Sequence, residues 1–183
     1  MANREALREL QGRLTERLQR ARSEARIAQW LALDCAGLGV LVPLEGAGEI
    51  FPVGPLLPVP HTQSWFLGVA NLRGGLHGVI DLAAFLALRT ALAPEAARDP
   101  ARLLAIHPGA GAHCALLIDR LAGLRAAEQM QPEPPEPGLR PAFAGPRWRD
   151  GDGRVWQEID LAALAADERF LAIAARATPA VQR

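Results

Sequence analysis

The chain has 183 residues, half of them hydrophobic, and 20 basic and 20 acidic side chains that cancel to a formal charge of zero. That length suffices for one ordinary core or two small intertwined ones, and the balance of charge excludes a global field drawing the protein to nucleic acid or to an acidic membrane. Every basic residue is Arg and Tyr is absent, which we read as genomic bias rather than as function.

From Arg4 to Ala28, Leu7, Leu10, Leu14, Leu18, Ala21, Ala25 and Ala28 recur at steps of three and four, the stripe of one amphipathic helix. Seven Arg and four Glu share its other faces, and Gly12 within it costs about 1 kcal/mol relative to Ala. Tertiary contact is therefore expected to hold this helix, either on its own domain or, alternatively, against a partner or a second copy. Alternating charges stand where a signal peptide would have an apolar core, and no run of 18 uninterrupted apolar residues occurs. The expectation is a cytoplasmic chain without direct membrane insertion.

After Gln29 the pattern changes to short apolar runs split by Gly and Pro: WLALDC, GVLVPL, EIFPV, WFLGVANL, LHGVI, RLLAIH, HCALLI and GRVWQEI. Runs of this length between turn residues predict a small barrel or sandwich, mainly β. Residues 90–100 read as a surface connection after a short helix, and residues 131–146 are too Pro-rich for a helix or a central strand and read as an ordered loop. The domain division predicted is a helix over 1–28, a β domain over 29–175 and a tail over 176–183.

An internal echo organises the β region. Phe66 to Ala87 (FLGVANLRGGLHGVIDLAAFLA) is similar to Phe143 to Ala166 (FAGPRWRDGDGRVWQEIDLAALAA), and Gly39 to Ile50 is similar to Cys114 to Arg125. Two copies make two similar β units in one chain rather than a solenoid. Each unit closes with a short helix opened by an Asp, Asp81 and Asp160, whose carboxylates suit helix N-caps.

Candidates for chemistry are few. Asp81 and Asp160 make a carboxylate pair only on paper, since capping explains both; a small enzyme using them or His61 would need a pocket in which they converge. His61, His77, His107 and His113 form no metal-ligand spacing, and Cys35 and Cys114 lie among apolar neighbours as small buried hydrophobes. No cofactor loop survives inspection, because the Gly109/Gly111 pair has Cys114 where a third glycine would stand. A single-stranded nucleic-acid-binding module on small barrels is the alternative function, with Trp148 between Arg147 and Arg149 as its one suggestive feature.

The stretch Gly68, Asn71, Leu72, Arg73, Gly74, then Val79, Ile80, Asp81 and Leu82, resembles the Gly-x-x-Asn-Leu-Arg-Gly and Val-Ile-Asp-Leu motifs of CheW-like chemotaxis coupling proteins. The resemblance runs over most of residues 29–175: WLALDCAGLGVLVPLEGAGEI resembles the family's first hairpin, ALLIDRLAGLR its Leu-Val-Asp-Arg-Val segment, and WQEIDLAAL its closing helix. The Leu-Leu-Pro-Val-Pro-His stretch and the added N-terminal helix resemble the PilI-type branch, from type IV pilus twitching-motility systems. Departures are Gly78 for the usual Pro, Phe51 at a position often basic, and an Arg- and Gly-rich 143–154.

This resemblance implies two SH3-like five-stranded β-barrels packed together, and a non-enzymatic adaptor without catalytic residue, cofactor or metal. It implies one surface for the cytoplasmic tip of a methyl-accepting receptor and another for the regulatory domain of a CheA-type histidine kinase, at membrane receptor arrays. Carried over as partner contacts are Arg73, with Asn71 and Gly74 beside it, and Glu49. Ile50, Val69 and Leu72 are the apolar candidates on exposed strands and loops, the alternative for each being a place in the core.

Overall fold

The computed structural model describes residues 28–90, 100–135 and 137–175. The predicted N-terminal helix, the tail and most of the 90–100 connection lie outside them; Ala28, the last residue of the helical stripe, opens the first strand.

Eleven strands are described: β1 (Ala28–Cys35), β2 (Leu38–Pro43), β3 (Ala47–Pro52), β4 (Phe66–Leu72), β5 (Gly75–Asp81), β6 (Arg102–Ile106), β7 (Cys114–Ile118), β8 (Arg120–Ala126), β9 (Met130–Pro132), β10 (Ala144–Asp150) and β11 (Val155–Ile159). They form a six-stranded sheet in the order β8-β1-β2-β11-β10-β9 and a five-stranded sheet in the order β3-β6-β7-β5-β4. The orders correspond strand for strand. β8 answers to β3, β1 to β6, β2 to β7, β11 to β5 and β10 to β4, and the parallel pairs β2–β11 and β5–β7 answer to each other. Even β9 has a counterpart, since Leu57 bridges Val69 on β4 as β9 pairs with β10.

The echo in the sequence therefore has a structural meaning. β4–β5 and β10–β11 are hairpins, each followed by a short helix: α1 (Leu82–Phe85) and α2 (Leu161–Ala166), the latter continued by α3 (Glu168–Leu171). The β2–β3 and β7–β8 bends are the two points where the chain crosses between sheets, in opposite directions. The Pro-rich stretch after Met130 differs from the reading as loop alone. Its first residues form β9, which Pro132 permits because β9 is an edge strand, and β10 begins within its far end at Ala144.

Strand alternation builds three apolar layers. On β7, Cys114, Leu116 and Ile118 face a central layer while Ala115 and Leu117 face the interior of the five-stranded unit. On β1, Leu31, Leu33 and Cys35 face the same central layer, and Trp30 and Ala32 face the interior of the six-stranded unit with Leu41, Met130 and Trp156. Both sheets are thus apolar on two faces, which explains why runs such as CALLI show no polar alternation. At about 1.5–3 kcal/mol for each large side chain removed from water, the shared central layer is what joins the units.

Candidate partner-docking surface

Arg73 and Gly74 form the two-residue turn of the β4–β5 hairpin, between the paired residues Leu72 and Gly75. Both have positive φ, 49° and 83°, the pattern of a type I′ turn, whose twist matches that of its strands. The Asn71 side-chain oxygen accepts the Gly74 N–H at 2.8 Å and locks the turn. Arg73 is thereby held at the tip of the hairpin, where its guanidinium donates to Glu49 Oε1 at 2.8 Å.

Glu49 belongs to β3, the edge of the five-stranded sheet opposite β4, so this contact shows the sheet curled until its two edges meet. The side chains of Arg73 and Glu49 are 76% and 51% exposed. An ion pair so open to water contributes only about 0–1 kcal/mol, which leaves both groups free to exchange each other for a partner. Ile50, next along β3, is an exposed apolar residue.

Two expectations are corrected. Leu72 is buried in the inner core of the five-stranded unit, where it anchors the turn from within and cannot touch a partner. Val69 is half-buried and does not sit on an open edge: its N–H and C=O bond to Leu57 at 2.9 and 2.8 Å. This covering strand needs Gly68, because a Cβ there would stand 2.3 Å from the Leu57 carbonyl oxygen. Sequence reasoning missed the apolar groups that do face water here, Leu57 and Leu76, the latter paired with Asn71 across the hairpin. No alternation in GLHGVID marks Leu76 as outward; only the exposed turn beside it could have done so.

The candidates for catalysis do not converge. Asp81 is fully buried, caps α1 through the Ala84 N–H at 3.2 Å and pairs with Arg89 at 3.0 Å. Arg89 also reaches Asp119 at 2.5 Å. Burial opposes its charge, but the hydrogen bonds to Asp119 and Asp81 outweigh that and raise its pKa. Asp160 caps α2 through the Ala162 and Ala163 N–H groups at 2.8 and 3.0 Å and lines a cleft with His107, which neither Asp81 nor His61 reaches. Burial pushes the thiols of Cys35 and Cys114 up to about 12, so both stay protonated. Nor is Trp148 a free stacking platform: its indole packs 4.9 Å from Trp30 and donates to Glu158 at 2.8 Å, while Arg149 is held by Glu133 at 2.7 Å.

Residues 29–169, which contain both hairpins and both crossings, match the CheW-like domain family. The chain belongs to that family. It is 28% identical over 162 residues to protein PilI of Pseudomonas aeruginosa, covering 84% of this chain and 85% of that protein. The scaffolding protein TtCheW of Thermoanaerobacter tengcongensis shares the fold, with a TM-score of 0.59, 18% identity, and 72% of this chain and 88% of that one covered. A CheW-like fold accounts for the paired sheets, and the Arg73 turn lies inside the matched region. Among the described residues no helix is long and apolar enough to cross a membrane.

Proposed function

We propose that the chain is a non-enzymatic chemosensory adaptor that couples methyl-accepting receptors to a CheA-type histidine kinase, in control of type IV pilus twitching motility. Membership of the CheW-like family and the likeness to protein PilI support this reading. Its place of work is then the cytoplasmic side of a receptor array. The observation that carries it is the Arg73 tip. A charged, planar donor is held on a tight turn, at a backbone conformation that suits Gly or Asn better, against a carboxylate that water already weakens. Glu49, Ile50, Asn71, Arg73 and Gly74 form the contact surface, with exposed Leu57 and Leu76 supplying apolar area that Val69 and Leu72 do not.

A pulldown from lysate of the source organism, read by mass spectrometry with Arg73→Ala beside the wild type, tests this. A methyl-accepting receptor and a histidine kinase should come down with the wild type and be depleted with the variant. Recovery of neither under gentle, low-salt conditions would remove the coupling function while leaving the fold.

A further inference from the structure

A cleft runs along the β2–β3 bend, and it is acidic. One half is walled by Gln29, Trp30 and Leu44, the other by Asp160, Leu161 and Ala162, with Pro43, Glu45 and Glu158 common to both. The halves enclose about 370 and 490 Å³, room for a row of aliphatic side chains. The indoles of Trp30 and Trp148 both donate to one oxygen of Glu158, Oε2, at 3.1 and 2.8 Å. Among the described residues no arginine pairs with Glu45, Glu158 or Asp160, although the described arginines elsewhere find Asp34, Asp81, Asp119, Glu49 and Glu133.

The chain itself holds a complement. Residues 1–27 carry seven Arg against four Glu around a stripe of Leu7, Leu10, Leu14 and Leu18. They join the domain at Ala28, and the very next residue, Gln29, is part of the cleft wall, its carbonyl accepting the Leu44 N–H. Tethering this short turns docking into an intramolecular event at an effective concentration of about millimolar, so a weak contact suffices. As a helix the segment would reach about 40 Å, more than enough to run along both halves.

We propose that this cleft is the docking seat of the chain's own N-terminal segment, with the leucine stripe laid on Pro43, Leu44 and Ala162 and the arginines set against Glu45, Glu158 and Asp160. A segment seated there covers the outer side of the bend that leads into β3, the strand of Glu49. The seating itself requires nothing of the receptor and kinase contacts proposed above.

Hydrogen exchange of the full chain, read by mass spectrometry over residues 1–27, tests it. In the wild type these amides should exchange at least tenfold more slowly than in Glu45→Arg/Ala162→Arg, which places two cations at exposed positions of the cleft. Arg13→Glu/Arg17→Glu should lose the same protection, and the four substitutions together should restore it, a result that misfolding of either variant could not produce. Protection equal in all four proteins, or absent from the wild type, would overturn the proposal. So would protection that grows with protein concentration, which would seat the segment on a second copy, and failure of the combined variant to recover.

Discussion

Arg73 occupies a left-handed backbone conformation that costs a side-chain-bearing residue about 1 kcal/mol or more, and Asn would fill the same turn more comfortably. Replacing it separates its two roles. If the proposed coupling holds, Arg73→Ala should weaken association with the regulatory domain of a CheA-type kinase by about 1–3 kcal/mol, measured by calorimetry, the range for losing a charged donor at an interface. Its melting temperature should hardly change, because the exposed pair with Glu49 contributes little. Arg73→Asn should match that affinity loss and melt no lower than the wild type. A large fall in melting temperature with either variant would show the guanidinium to be structural. The two thiols offer a second test at this scale. The chain has neither Tyr nor Lys, so above pH 9 Cys35 and Cys114 are the side chains left to titrate before Arg. Their folded pKa of about 12 lies above the ordinary 9.0. The folded state therefore keeps protons that the unfolded chain releases, and the stability this gives is intact below pH 9 and drains as pH rises toward 12. Thermal melts should show that decline, and Cys35→Ala/Cys114→Ala should flatten it; parallel slopes would contradict the assignment.

At the scale of elements, two aspartates that look alike in the echo differ in what they support. Asp160 caps α2 from an exposed position, and its loss in Asp160→Ala should cost about 1 kcal/mol in urea unfolding. Asp81 caps α1 from full burial and also neutralises Arg89, so Asp81→Ala leaves a half-buried guanidinium under-compensated and should cost about 3–5 kcal/mol. Equal costs would mean that capping is all either residue does. The echo was legible because local rules recur in it: a hairpin, then an Asp before an apolar helix. What local rules do not encode stayed out of reach. Leu72 points inward and Leu76 outward within one hairpin, and nothing in NLRGGLHGVI distinguishes them, since both strands lie in a sheet with apolar layers on each face. The segment that covers Val69 comes from LLPVP, a stretch with no strand pattern, and its prolines are tolerated because it makes a single bridge at an edge.

At the scale of the molecule, the resemblance indicated two barrels but not how the chain shares them. β1 and β2 complete a sheet whose other members are β8 to β11, and β2 pairs in parallel with β11, more than a hundred residues later. Such pairing leaves no local signature. With Leu31, Leu33, Leu104, Leu116 and Ile159 in one central layer, opening either unit exposes the other's half of that layer to water, although each has an inner layer of its own. Unfolding should therefore be one cooperative transition. In a Trp65→Phe background, which removes the one tryptophan outside the six-stranded unit, fluorescence of Trp30, Trp148 and Trp156 should coincide with loss of exchange protection in β5 and β7, which report the other. Separate midpoints would assign each sheet its own stability.

The same strand sharing bears on how the protein is made. A ribosome delivers β1 and β2 first and β11 last, and the residues between them contain the whole of the five-stranded unit. Until β11 emerges, the nascent β1–β2 hairpin lacks its parallel neighbour and the six-stranded sheet lacks its middle. The five-stranded unit can assemble in the meantime and offer Leu104, Leu116 and Ile118 as a template on which the waiting Leu31, Leu33, Val40 and Val42 collect. Translation order would then set assembly order, with the first-made hairpin parked on the second-made barrel until the last strand locks it in place.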